Sequence, residues 1–111
     1  MQPFFEIRIV DAPTRIVITL VGELDFPARV QATPSLALLA IAGRDLTFDM
    51  TFVTFMDAAG LRLLQSVRRQ VLAGGGTVEA RGIQPPVRRV LELTGTDVQF
   101  PLRTLHALPG A

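Results

Sequence analysis

The chain has 111 residues and a formal net charge of +1, with 49% of its residues hydrophobic and 19% charged. The length suits one domain, 1–111, and the composition is apolar enough for a buried core and too apolar for disorder. The near-zero charge gives no electrostatic case for nucleic acid, the absence of Cys excludes disulfides and thiolate sites, and no run of roughly 18–20 apolar residues is present to span a membrane.

The start, Met1-Gln2-Pro3-Phe4-Phe5-Glu6, lacks the basic residues and long apolar run of a signal peptide, so the expected location is the cytoplasm. Phe5 to Asp11 alternates, with Phe5, Ile7 and Ile9 on one face and Glu6, Arg8 and Val10 on the other, which predicts a half-buried strand. After the turn Ala12-Pro13-Thr14, a second and more apolar strand runs from Arg15 to Val21 and ends at Gly22. Two strands so close together predict an antiparallel hairpin.

Phe26 to Ala42 must connect the second strand to the third, and a helix is expected there. Pro34 interrupts it, and Thr33-Pro34 reads as an N-cap followed by a first-turn Pro, which confines the firm helix to Ser35–Ala42. Leu36-Ala37-Leu38-Leu39-Ala40-Ile41-Ala42 is apolar all round, the pattern of a doubly buried helix or of an interface for a partner or a second copy. Asp45–Met50 is a third strand and Thr77–Arg81 a fourth, separated by a helix, which predicts βαβ units and parallel pairing. That helix runs from Ala58 to Leu72, with Gly60, Leu63, Leu64, Val67 and Val71 in one buried stripe, Asp57 as N-cap, and Gly74-Gly75-Gly76 closing it. Leu61 falls on the shoulder of the stripe, where an exposed Leu suits a binding surface. A last helix starts near Pro86 and stops at Gly95, with Val87, Val90, Leu91 and Thr94 inward. The core thus spans roughly residues 4–100, and the chain beyond Phe100 is expected to be a short helix or loose tail.

The chemistry-bearing residues are few. His106 is the only His and lies in the tail, so any multi-His metal site or standard catalytic triad would have to be built on it alone, and a solvated residue is the expected reading. The glycine run lacks the Lys-Ser/Thr of a phosphate-binding loop and follows a helix, so it is a turn. Asp25, Asp49 and Asp57 could in principle form a carboxylate metal cluster, but local hydrogen bonding is the expected role of Asp49 on a buried-type strand. No enzyme and no cofactor are expected. The informative stretch is Phe55-Met56-Asp57-Ala58-Ala59-Gly60-Leu61. A helix N-terminus offers unpaired N–H groups and partial positive charge, which an Asp cap or a phosphate satisfies.

Five pieces fall in register: Gly22-Glu23-Leu24-Asp25; Phe48-Asp49-Met50; Met56-Asp57-Ala58-Ala59-Gly60-Leu61; Gly74-Gly75-Gly76; and Pro85-Pro86-Val87-Arg88-Arg89-Val90-Leu91-Glu92-Leu93-Thr94-Gly95. Their order and spacing resemble STAS domains, and bacterial anti-sigma factor antagonists most of all. The resemblance implies an α/β fold with a mixed sheet, an N-terminal antiparallel hairpin, and helices packed on the sheet. It implies a protein that binds an anti-sigma factor, a histidine-kinase-like ATPase, and so frees a sigma factor for transcription. The binding surface would comprise Asp25, Asp57, Ala58, Ala59, Gly60 and Leu61. In such proteins a Ser or Thr directly after the motif Asp is phosphorylated to end the complex. Here that position is Ala58, and the next is Ala59, so the resemblance comes without its phosphoacceptor. The nearest hydroxyls are Thr51 and Thr54, for which loop hydrogen bonding is the expected role. Asp57-Ala58-Ala59-Gly60-Leu61 also resembles the motif of STAS subunits of ABC-type lipid transporters, and a scaffolding or ligand-sensing STAS module is a third alternative.

Overall fold

The alternation at the start of the chain makes β1 (Phe5–Asp11), which pairs antiparallel with β2 (Arg15–Leu24) from Phe5↔Gly22 to Asp11↔Ile16. The computed structural model describes residues 4–39, 41 and 43–103. Strand β2 does not end at Gly22 but continues to Leu24. Gly22 serves close packing there: a Cβ at this position would run into the carbonyl of Phe4 on the neighbouring strand. At the other end of the hairpin, Arg44 donates to Asp11 at 2.7 Å and to the carbonyl of Ala12, tying the turn to the start of the next strand.

Three crossovers follow. Helix α1 (Phe26–Ala37) leads to β3 (Asp45–Met56), α2 (Ala58–Ala73) to β4 (Val78–Arg81), and α3 (Pro85–Thr94) with a short 3-10 turn at Asp97–Gln99 to β5 (Leu102–Arg103). Strands β2 to β5 are mutually parallel and the spatial order is β1-β2-β3-β4-β5. The mixed sheet with a leading hairpin and βαβ units is the architecture the sequence implies. The chain after Phe100 departs from expectation: it adds a two-residue strand beside β4, with the Ala80 N–H donating to the carbonyl of Pro101 at 2.9 Å. His106 lies outside the described residues.

Helix α1 is the second correction. It runs unbroken through Pro34 and stops at Ala37, so Ser35–Ala42 is not a separate helix. A mid-helix Pro costs about 3 kcal/mol. Here Asp25 caps the N-terminus, Pro27 is well placed in the first turn, and the stripe Ala28, Ala32, Leu36 is buried on both sides of the Pro. Pro34 itself faces outward. Of the following apolar residues, Ile41 drops into the core, Leu39 is half-buried, and Leu38, at 87% exposure, stands in solvent.

One face of the sheet forms a single core. Ile16, Ile18 and Leu20 of β2, Leu46, Phe48 and Met50 of β3, and Val78 and Ala80 of β4 meet the buried stripes of the helices. Phe100 closes it with an edge-to-face contact on Phe48, centroids 6.2 Å apart. The opposite face carries ion pairs instead. Arg15 reaches Glu79 at 3.1 Å and donates to the Thr47 hydroxyl at 2.8 Å, and Arg81 donates to Asp49 at 3.2 Å.

Strand β3 is twelve residues long, twice the expected Asp45–Met50. It carries two bulges: Thr19↔Asp49 is followed by Val21↔Phe52, and Gly22↔Val53 by Glu23↔Phe55. Each inserts one extra residue on β3. The sequence Thr51–Met56 therefore loses the clean alternation that marks a strand, and was expected to contain loop.

Burial works against the charge of Asp49, but the Thr51 hydroxyl and amide and the Arg81 guanidinium outweigh it and hold the carboxyl below the ordinary Asp range. A lowered native pKa adds stability above the ordinary value, and that stability is lost as pH falls through the native one. Asp49→Asn should lower stability by about 1–3 kcal/mol in urea titrations at neutral pH. The same variant should show a flatter loss of stability on acidification than the parent chain.

Candidate functional site

Strands β2 and β3 end side by side at Leu24↔Met56. The next residue of each is an Asp, and each Asp starts a helix. Asp25 accepts from the Ala28 N–H at 3.1 Å, and Asp57 from the N–H groups of Ala59 at 2.9 Å and Gly60 at 3.1 Å. Their backbones are nearly the same, φ −118°, ψ −168° at Asp25 and φ −113°, ψ −170° at Asp57. The extended conformation aims each carboxylate back over its own first turn. Two capped helix N-termini thus lie next to each other at one end of the sheet.

The junction is tight. The Asp57 N–H donates to the Leu24 carbonyl at 3.3 Å, and a Cβ on Gly60 would collide with that same carbonyl. Only glycine lets the first turn of α2 rest on the end of β2. Of the residues assigned to the site from sequence, Ala58 is exposed, Asp25, Asp57 and Ala59 are half-exposed, and Gly60 is buried. Leu61 is a correction: it is 7% exposed, not on the surface. Leu61 lies on the side of α2 that carries Gln65 and Arg68, both hydrogen-bonded to Gln99, so the helix is covered there as well as along its stripe.

The structure adds neighbours that the sequence reading did not place here. Phe26 follows the Asp25 cap and is 61% exposed; Phe52 and Phe55, turned out by the bulges of β3, are 55% and 47% exposed. A depression of about 470 Å³ lies beside Phe26, lined with it by Phe5, Glu23, Asp25, Val30 and Gln31. The available signal was the aromatic residues flanking both cap Asp residues, in Asp25-Phe26 and Phe55-Met56-Asp57. An exposed aromatic ring, Phe26, thus stands next to the Asp25 cap, and Phe52 and Phe55 are exposed on β3 opposite Val21 and Glu23.

Asp49 does not join Asp25 and Asp57; its oxygens are taken up by Thr51 and Arg81. Among the described residues no three His, Cys, Asp or Glu side chains gather to hold a metal ion. No described helix is long and apolar enough to cross a membrane. The Thr51 hydroxyl donates to Asp49 at 2.6 Å from a half-buried position on β3, while Thr54 is exposed on the same strand. The loop expected around these residues is strand.

The STAS domain family matches residues 6–107. An anti-sigma factor antagonist from Mycobacterium paratuberculosis shares 28% identity and superposes with a TM-score of 0.73, over 89% of this chain and 85% of that one. The phosphorylated form of the Bacillus cell fate determinant SpoIIAA is 24% identical, with a TM-score of 0.67 over 92% and 93% of the two chains. A STAS domain protein from Planctomyces limnophilus reaches 0.78 at 22% identity over 88% and 89%. No curated protein sequence matches.

Asp57→Ala should cost about 1 kcal/mol through loss of the cap. Gly60→Ala should cost more, about 1–3 kcal/mol, because the added methyl meets backbone that cannot yield. Thermal unfolding of both variants beside the parent would establish the order.

Proposed function

The chain belongs to the STAS domain family, and on that footing we propose that it is a non-enzymatic protein-binding domain of the anti-sigma factor antagonist kind. It binds an anti-sigma factor kinase in the cytoplasm, and a sigma factor is thereby released. The observation that carries this reading is the pair of adjacent helix N-termini capped by Asp25 and Asp57, with Ala58 exposed at the start of α2 and Phe26 exposed next to Asp25. The aromatic ring supplies apolar contact area, and the carboxylates favour a partner surface carrying Arg or Lys. Asp25, Asp57, Ala58 and Ala59 touch the partner, while Gly60 and Leu61 hold that turn in place from beneath.

The reading includes permanent engagement. A phosphoryl group at the tip of α2 would bring about two negative charges beside the Asp57 carboxylate and into the contact. Ala58 has no oxygen to accept it. The carboxylate of Asp57 already occupies the first N–H groups of the helix, so the local structure is complete without a phosphate.

Ala58→Ser is the informative variant. Incubated with an anti-sigma factor kinase of the host and ATP, it should gain one phosphate by intact mass and lose its hold on the kinase. The unsubstituted chain should gain none and stay bound in the same pull-down. Phosphate on Thr51 or Thr54 of the unsubstituted chain would contradict permanent engagement. Failure of the unsubstituted chain to retain any kinase of this class would contradict the partner assignment.

A further inference from the structure

The sheet order leaves β1 at an edge, and no strand lies beyond it among the described residues. A free edge is an unfilled row of hydrogen-bonding groups that proteins normally blunt or cover. The Phe5 carbonyl takes a bond from the Gln31 side chain of α1, at 3.4 Å, so it points away from β2. By the alternation of an antiparallel ladder, the N–H and C=O groups of Ile7 and Ile9 point to that open side as well. Phe5, Ile7 and Ile9 are only partly buried against the core. On the other face of the strand, Phe4 and Val10 are 64% and 59% exposed, with Glu6 and Arg8 between them.

The order of these side chains is a palindrome with the charge reversed: apolar, apolar, acid, Ile7, base, apolar, apolar. We propose that β1 is the interface for a second copy of this chain, the two β1 strands pairing antiparallel about Ile7 to join two five-stranded sheets into one of ten. In that register Ile7 faces Ile7 of the other copy, Phe5 faces Ile9, Glu6 faces Arg8, and Phe4 faces Val10. Every cross-strand pair is apolar with apolar or acid with base, the pairs that stabilise a sheet. Sliding the copies by one pleat in either direction sets Glu6 against Glu6 or Arg8 against Arg8. A one-residue slip would put core-facing side chains opposite outward-facing ones. The contact is isologous, so it closes at two copies. It lies two strands from Asp57, and its Phe5 end borders the depression beside Asp25 and Phe26.

Charge reversal tests the register without touching the core. Sedimentation equilibrium from micromolar to millimolar concentration should find a dimer for the unsubstituted chain. Arg8→Glu should weaken it about tenfold or more, because two attractive cross-strand pairs become repulsive. The double exchange Glu6→Arg with Arg8→Glu should restore the dimer to near its original strength. The chain has no Cys, so Ile7→Cys can form only an intermolecular disulfide. Paired Cα atoms about 5.5 Å apart permit it, and it should form on mild oxidation, whereas Glu6→Cys should cross-link poorly. A monomer throughout the range overturns the proposal. So does a dimer indifferent to Arg8→Glu, or a double exchange no tighter than the single change.

Discussion

The carbonyl of Leu24 is the point on which this domain's functional end turns. It accepts the Asp57 N–H and lies where a side chain at position 60 would have to go. That contact presses the first turn of α2 onto the end of β2, and Asp25 follows Leu24 directly. The spacing between the two acidic caps is thus set by main-chain contacts and not by flexible side chains. Main-chain contact between neighbouring strand ends builds this junction from the fold itself. A preformed surface loses little conformational entropy on binding.

Much of this was legible in the sequence, for reasons that differ from element to element. β1 and α2 have clean periodicities because each presents one face to a core and one to solvent. The cap Asp57 and the glycine beside it were legible because helix starts draw on a small set of residues. The limits of α1 were not, because Pro34 is a strong local signal overridden by burial spread along the whole helix, and Leu36 alone contributes about 2 kcal/mol. The exposed aromatic rings of β3 were missed because bulges break the two-residue period by which a strand is recognised. Leu61 was placed outside because the side of α2 that it shares with Gln65 and Arg68 is covered at Gln99, a neighbour that the period of α2 alone does not reveal.

The two faces of the sheet divide the labour of the fold. The helix side is apolar and holds the domain together. The other side is held by Arg15 of β2 reaching across β3 to Glu79 of β4 and by Arg81 of β4 bridging to Asp49 of β3, with Thr47 buried beneath the Arg15 guanidinium. Such pairs contribute little each when solvated. Their value here is in pinning β2, β3 and β4 laterally at the middle of the sheet, upstream of the ends where the caps emerge.

The two bulges of β3 make that strand a vernier. Over the span from Thr19 to Leu24, β3 uses two more residues than β2. Each bulge holds one of the two, so the buried residues Met50, Val53 and Met56 recur at intervals of three where a regular strand would use two. Removing the extra residue at each bulge would return β3 to plain alternation in step with β2 and still bring Asp57 beside Asp25. Removing a residue from the regular part of the strand would instead set β3 out of step with β2 and carry Asp57 away from Asp25.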